Sequence, residues 1–320
     1  MAKNAIILLN MGGPNDLYEV QTFLHNMFND PNILTMKSTL LRRFIAGVIT
    51  ANRTKSAQEV YRKLGGKSPI VGITKKLVAG LQERVGSDVL VDFAMRYTPP
   101  FAEASVARLK AAGVTHVYLI PLYPHYSTTT TKSSLEDYEA QMHRQGFHAL
   151  MTEMKHFFEN RAYNTVILER IKDAMAGAEP DAYDLLFSAH GLPQKIVDGG
   201  DPYEFQVNAH VRVLESMLEE AGMRFNKMHL AYQSKVGPMK WLEPSLETKL
   251  STLENKKVLI FPIAFTVDNS ETLYELDMEY REVAEKMGFE DYRVAACPND
   301  HPGFAQMLAS LYAKLRALQA

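Results

Sequence analysis

The chain has 320 residues, 46% of them hydrophobic and 22% charged, which is ordinary globular composition and long enough for two domains or one large one. Its 35 basic and 37 acidic residues give a formal net charge of −2, so no global field recruits nucleic acid, and none is expected as a partner. The only cysteine is Cys297, which excludes an intrachain disulfide and any site of several thiolates and fits a reducing compartment, so a cytoplasmic protein is expected.

In chain order, MAKNAIILLNMGG has an apolar run too short for a signal peptide and reads as a buried strand, AIILLN (5–10). Residues 34–49, LTMKSTLLRRFIAGVI, set Leu40, Leu41, Phe44, Ile45 and Val48 at near-helical spacing beside Arg42 and Arg43. Such a stripe faces the core, forms an apolar lip at a cleft mouth or rests on lipid headgroups. Further strands are read at VLVDFAM (89–95), HVYLIPL (116–122), DLLFSAH (184–190), MHLAYQS (228–234), KVLIFPIAF (257–265) and YRVAACP (292–298). Amphipathic helices lie between them, at 103–113, 205–222 and 273–288.

Alternating strands and helices predict an α/β fold with parallel sheets built from βαβ units. A polar stretch from Thr128 to Gln145 reads as a loose divider between two similarly built lobes facing a cleft. The expected division is 1–140 for the first lobe with the lip at 34–49, 141–302 for the second, and a C-terminal helix at 303–320 packing back on the first. Ligands of open parallel sheets bind outside the carboxyl ends of the strands. There the runs turn polar or Gly/Pro-rich: NMGGP at Met11, MRYTPP at Arg96, SAHGLP at His190 and TVDNSET at Asp268–Glu271.

His190 ahead of Gly191 is a general base, a ligand for Fe²⁺ or a similar metal, or a buried histidine satisfied by a carbonyl. Asp268 and Glu271 have capping-box spacing. Glu271, Glu275 and Glu279 recur every fourth residue with no basic residue at i+4, whereas Asp277 and Arg281 pair at that spacing. Such a row is a solvated helix face or a path for protons or a cation. Met11 is core filler or a thioether facing the cleft. GxGxxG, HExxH, CxxC and a complete phosphate-binding loop are all absent from the sequence.

As a set and in order, LNMGGP, GGKSPI, MRYTPP, PLYPHYSTTTTKSS, FSAHGLP, YQSKVGPMKWLEP and FPIAFTVDNSETLYELDMEY resemble the ferrochelatase family over nearly the whole chain. The resemblance implies two Rossmann-like, chelatase-type lobes with a porphyrin cleft, and insertion of Fe²⁺ into protoporphyrin IX with release of two protons. It implies His190 as proton acceptor or metal ligand and Glu271 as its acidic partner, with Glu275 and Glu279 as a relay leading away. It further implies Met11, Arg53, Arg96, Tyr97, Tyr126, Lys235, Trp241 and Asn269 as porphyrin-binding positions.

Two positions depart from the family pattern: Asn269 stands where many members have histidine, and Lys132 where a glycine is common. Without the family's cysteine-bearing extension, no iron–sulfur cluster and no permanently bound cofactor are expected, iron being a substrate. A chelatase taking coproporphyrin III or cobalt, and a tetrapyrrole carrier without chemistry, stand as alternatives.

Overall fold

The computed structural model describes residues 3–235 and 237–318. Val236, within the YQSKVGPMKWLEP motif, and the last two residues of the expected 303–320 helix lie outside the described residues.

Two compact units divide the chain. The first comprises residues 1–123, 127–156 and 305–320, and the second residues 124–126 and 157–304. In the first, strands β1 (Asn4–Asn10), β2 (Val89–Met95), β3 (His116–Pro121) and β4 (Leu150–Glu153) form one parallel sheet in the order β2-β1-β3-β4. The second holds β5 (Asp184–His190), β6 (Lys227–Gln233), β7 (Lys257–Phe261) and β8 (Asp291–Val294), again parallel, in the order β6-β5-β7-β8.

β1 and β5 are central strands covered on both faces, which is why their sequences run continuously apolar instead of alternating. Ile6, Ile7 and Leu8 are fully buried, as are Leu185, Leu186 and Phe187. On the first sheet, Ile7 and Leu9 pack with Val106 and Leu109 of the helix Ala102–Ala111 and with Leu135 and Tyr138 of the helix Ser133–Arg144. On the second, Val258 and Ile260 pack with Leu246, Leu250, Leu276 and Ala284. From the helix Pro302–Ala317, Tyr312 returns to the first sheet: its hydroxyl accepts from Asn4 Nδ2 at 2.9 Å, and its ring meets Tyr118 edge-on.

Three sequence expectations change. The division falls between His156 and Phe157 instead of at 140/141, because the short β4 pairs with β3 and completes the first sheet. The stretch from Thr128 is not loose: a π-helical turn, Thr128–Lys132, runs straight into the helix Ser133–Arg144. Its hydroxyl residues Thr129, Thr131, Ser133 and Ser134 are buried, and the Ser127 hydroxyl accepts from the Thr129 N–H, a local bond that substitutes for solvent. The expected helix at 273–288 is π-helical over Glu271–Glu279 and becomes α-helical only at Tyr280–Lys286.

Candidate active site

In the second unit, β5 ends at His190, paired in register with Gln233 at the end of β6. Glycine is required next: a Cβ on Gly191 would stand 2.9 Å from the Gln233 carbonyl oxygen, to which the Gly191 N–H donates at 2.8 Å. The half-buried His190 ring meets Phe265 edge-on, and its Nδ1 is buried with no hydrogen-bond partner among the described residues. Burial lowers the imidazole pKa, and the nearby Glu275 carboxylate partly offsets that by favouring the cation. The ring is therefore a neutral base with an unused nitrogen.

Glu275 is held from β6. Its carboxylate accepts from Gln233 Nε2 at 3.1 Å, from the Ser234 N–H at 2.7 Å and from the Ser234 hydroxyl. Ser234 reaches it with both groups because its backbone is left-handed, φ 66°. Gln233, 1% exposed, makes two further bonds: Oε1 accepts from Ser188 Oγ, and Nε2 also donates to the Glu271 carbonyl. Desolvation raises the Glu275 pKa, with the Ser234 hydrogen bond and the His190 charge opposing it.

Glu271 lies one turn earlier, half-buried, with its pKa raised by desolvation and its Oε2 accepting from Ser270 Oγ at 2.9 Å. Among the described residues no hydrogen bond joins it to His190, and the carboxylate whose charge acts on that imidazole is Glu275. Asp268 and Glu271 do not form the expected capping box. Asn269 caps instead, its Oδ1 accepting from the Glu271 and Thr272 N–H groups at 2.9 and 3.1 Å. Asp268 turns to Thr272 Oγ1 and Asn299 Nδ2. Glu279 is exposed, and Asp277 meets Arg281 as the spacing predicts. The three glutamates therefore grade from enclosed to solvated. Among the described residues no cluster of three or more His, Cys, Asp or Glu gathers as a metal cage.

The other expected positions of this unit are held by different partners. Trp241 is buried and backs Gly191: its Cε3 would lie 3.4 Å from a Cβ there. Tyr126 is held through its N–H by Gln206 Oε1 at 2.7 Å. Lys235 is exposed, 3.7 Å from Glu243.

In the first unit, the end of β1 is fastened to the end of β2: Arg96 and Tyr97 donate backbone N–H groups to the Asn10 and Met11 carbonyls. Gly12, at φ 85°, fits because a Cβ would stand 2.4 Å from Thr98 Oγ1. Met11 is half-buried against the cluster of Val20, Phe23, Leu24, Tyr61 and Tyr97. The polar ends of Arg96 and Tyr97 are engaged inside the protein. Buried Asp30 receives the Tyr97 hydroxyl at 2.8 Å, Arg96 NH2 at 3.1 Å and the Ser133 hydroxyl. Arg53 stands apart on the helix Thr39–Lys63, exposed, with its guanidinium 5.9 Å from the Phe28 ring centre. The same helix carries the lip, with Leu40 80% and Phe44 70% exposed.

Gln233 and Ser234 went unrecognised from sequence, because a neutral amide and a hydroxyl leave no charge pattern. Their signals were the polar turn in MHLAYQS at a strand end and their place in the motif YQSKVGPMKWLEP.

The sequence model of the ferrochelatase family matches residues 3–315. A ferrochelatase of Sulfurimonas denitrificans is 60% identical over 316 residues, covering 99% of this chain and 100% of that one. A ferrochelatase of Nitratiruptor sp. is 53% identical over 311 residues, 97% of this chain and 99% of that one. Among solved structures, SirB from Bacillus subtilis with Fe3+ superposes with a TM-score of 0.59 at 13% identity, covering 98% of this chain and 95% of that one. CbiX, the terminal enzyme for biosynthesis of siroheme in denitrifying bacteria, gives 0.55 at 13% identity, with 97% and 98% covered. At that identity the likeness is one of fold, two parallel four-stranded sheets flanked by helices. The match over the whole length, together with these relatives, shows that the chain belongs to the ferrochelatase family.

Proposed function

We propose that the chain inserts ferrous iron into protoporphyrin IX with release of two protons, the last step of haem biosynthesis. The observation that carries this reading is the neutral His190 imidazole with a buried, unpartnered Nδ1 beside the Glu275 carboxylate. Metal insertion needs a base for the pyrrole protons and donors for the entering cation, and neutral imidazole with carboxylate suits both. His190 accepts a proton, and Glu275, fixed by Gln233 and Ser234, stabilises the imidazolium. Glu271 serves with His190 as a donor to iron, and Glu279 is the solvent end of the acidic relay. Met11, Arg53, Arg96 and Tyr97 of the first unit and Tyr126, Lys235, Trp241 and Asn269 of the second are the porphyrin-binding positions of this reading. Iron enters as substrate, and the reading calls for no resident cofactor.

Among the described residues no helix is long and apolar enough to cross a membrane. The exposed Leu40, Leu41, Phe44 and Val48 fit peripheral contact with the inner face of the membrane by a cytoplasmic protein. Sedimentation with anionic vesicles checks this contact, and Phe44→Glu should abolish it. The main test is anaerobic incubation with Fe²⁺ and either protoporphyrin IX or coproporphyrin III, followed by absorbance. Metallation of protoporphyrin IX is expected; no change with either porphyrin ends the enzyme reading.

A further inference from the structure

The helix Tyr203–Glu220 presents Tyr203, Gln206 and His210 at i, i+3 and i+7, along one face. Each holds a different part of the second unit. The Tyr203 hydroxyl donates to the His190 carbonyl at 2.9 Å. Gln206 Oε1 accepts the Tyr126 N–H, and His210 Nδ1 lies 2.9 Å from His125 Nε2. On its other side, His210 Nε2 lies 2.8 Å from Asn164 Oδ1.

The direction of this chain of bonds follows from its far end. Asn164 Nδ2 donates to the Phe158 carbonyl at 2.9 Å, which leaves Oδ1 as the acceptor. His210 therefore carries its proton on Nε2, and its Nδ1 accepts from His125 Nε2–H. The Pro124 carbonyl accepts from the Phe157 and Phe158 N–H groups, so residues 124–126 are clasped from two sides. His125 and His210 are enclosed by Phe158, Tyr163 and Tyr203. Two buried imidazoles are an expensive way to fill a core that an apolar side chain would fill, and what they add is direction and a fixed offset.

We propose that His210 and Gln206 are positioning residues: their helix face sets Tyr126 at a fixed offset from His190, and His210 acts on the reaction through Tyr126. This rests on the reading of Tyr126 as a porphyrin contact. The test is a cycle of wild type, His210→Ala, Tyr126→Ala and the double variant, assayed for iron insertion. His210→Ala should raise KM for protoporphyrin IX about five- to tenfold with kcat within about twofold, and should add nothing once Tyr126 is gone. His210→Gln, whose amide supplies one acceptor and one donor, should restore KM. Equal penalties in both Tyr126 backgrounds, or a wild-type KM in His210→Ala, overturn the proposal. So does a wild-type KM in Tyr126→Ala. If His210→Ala does not fold, Gln206→Leu, which removes only the acceptor of the Tyr126 N–H, takes its place in the cycle. Failure of the enzyme reading shows separately, as a wild type without turnover; the same cycle is then read as porphyrin affinity from quenching of the single tryptophan, with the same outcomes supporting or overturning it.

Discussion

His190 combines three properties that a proton acceptor needs: it is neutral, its free nitrogen is enclosed, and a carboxylate stands near enough to stabilise its cation. His190→Ala should therefore abolish iron insertion while porphyrin still quenches the Trp241 fluorescence; near-normal turnover would remove the role. Glu275 and Glu271 separate by pH profile. The Glu275 charge raises the His190 pKa against burial, so Glu275→Gln should lower it further. The acidic limb of kcat/KM, where His190 must be neutral, then moves to lower pH, and plateau turnover falls with the lost counter-charge. Glu271→Gln should leave that limb in place, and equal shifts in both variants would contradict the assignment. The histidine was legible in the sequence because a strand end followed by glycine is a local pattern. Its electrostatic partner was not, because three glutamates at equal spacing look equivalent until the fold gives one of them Gln233 and Ser234. Arg96 shows the same limit in the first unit. Its charge reads as available, yet buried Asp30, distant in sequence, already engages it.

Seven of the eight strands among the described residues were readable, since buried parallel strands need continuous apolar runs. β4 escaped because LMTE at the sheet edge is short and only partly apolar. The π-helical segment Glu271–Glu279 escaped for a different reason: its residues suit an α-helix, and the wider turn shows only in tertiary contacts. Those contacts centre on Ser234, whose left-handed backbone lets N–H and hydroxyl grip one carboxylate. Such a conformation costs a non-glycine residue about 1 kcal/mol or more. Ser234→Ala keeps that strain and loses the hydroxyl bond, while Ser234→Gly loses the bond but relieves the strain. Urea titration should therefore rank Ser234→Gly above Ser234→Ala by roughly 1 kcal/mol, with turnover reduced in both. The reverse order would show that the hydroxyl bond and the strain are not linked as described.

Both units share one strand order, with the first strand central and its neighbours reached in opposite directions, so each has a switch point at the carboxyl end of that strand. Asn10 and Met11 occupy it in the first unit and His190 in the second, an equivalence invisible in sequence because the residues differ while the topology repeats. The buried chemistry of the second unit also shapes its stability. Burial draws the His210 pKa from 6.5 to about 3. Between those values the unfolded chain binds a proton that the folded chain refuses. The stability this group contributes is complete above pH 6.5 and drains as pH falls, by about 1.4 kcal/mol per unit, until about pH 3. The lowered His190 acts in the same direction. Glu271 and Glu275, raised by burial, act oppositely, contributing stability at low pH that is lost as pH rises. A difference measurement isolates His210. Trp241 is the only tryptophan and lies in the same unit, so its fluorescence in urea follows the unfolding of that unit. In passing from roughly pH 7 to roughly pH 4.5, wild type should lose about 2–3 kcal/mol more than His210→Gln, whose amide does not titrate. A gap between the two proteins that stays constant over that range would mean that His210 is not held neutral by the fold.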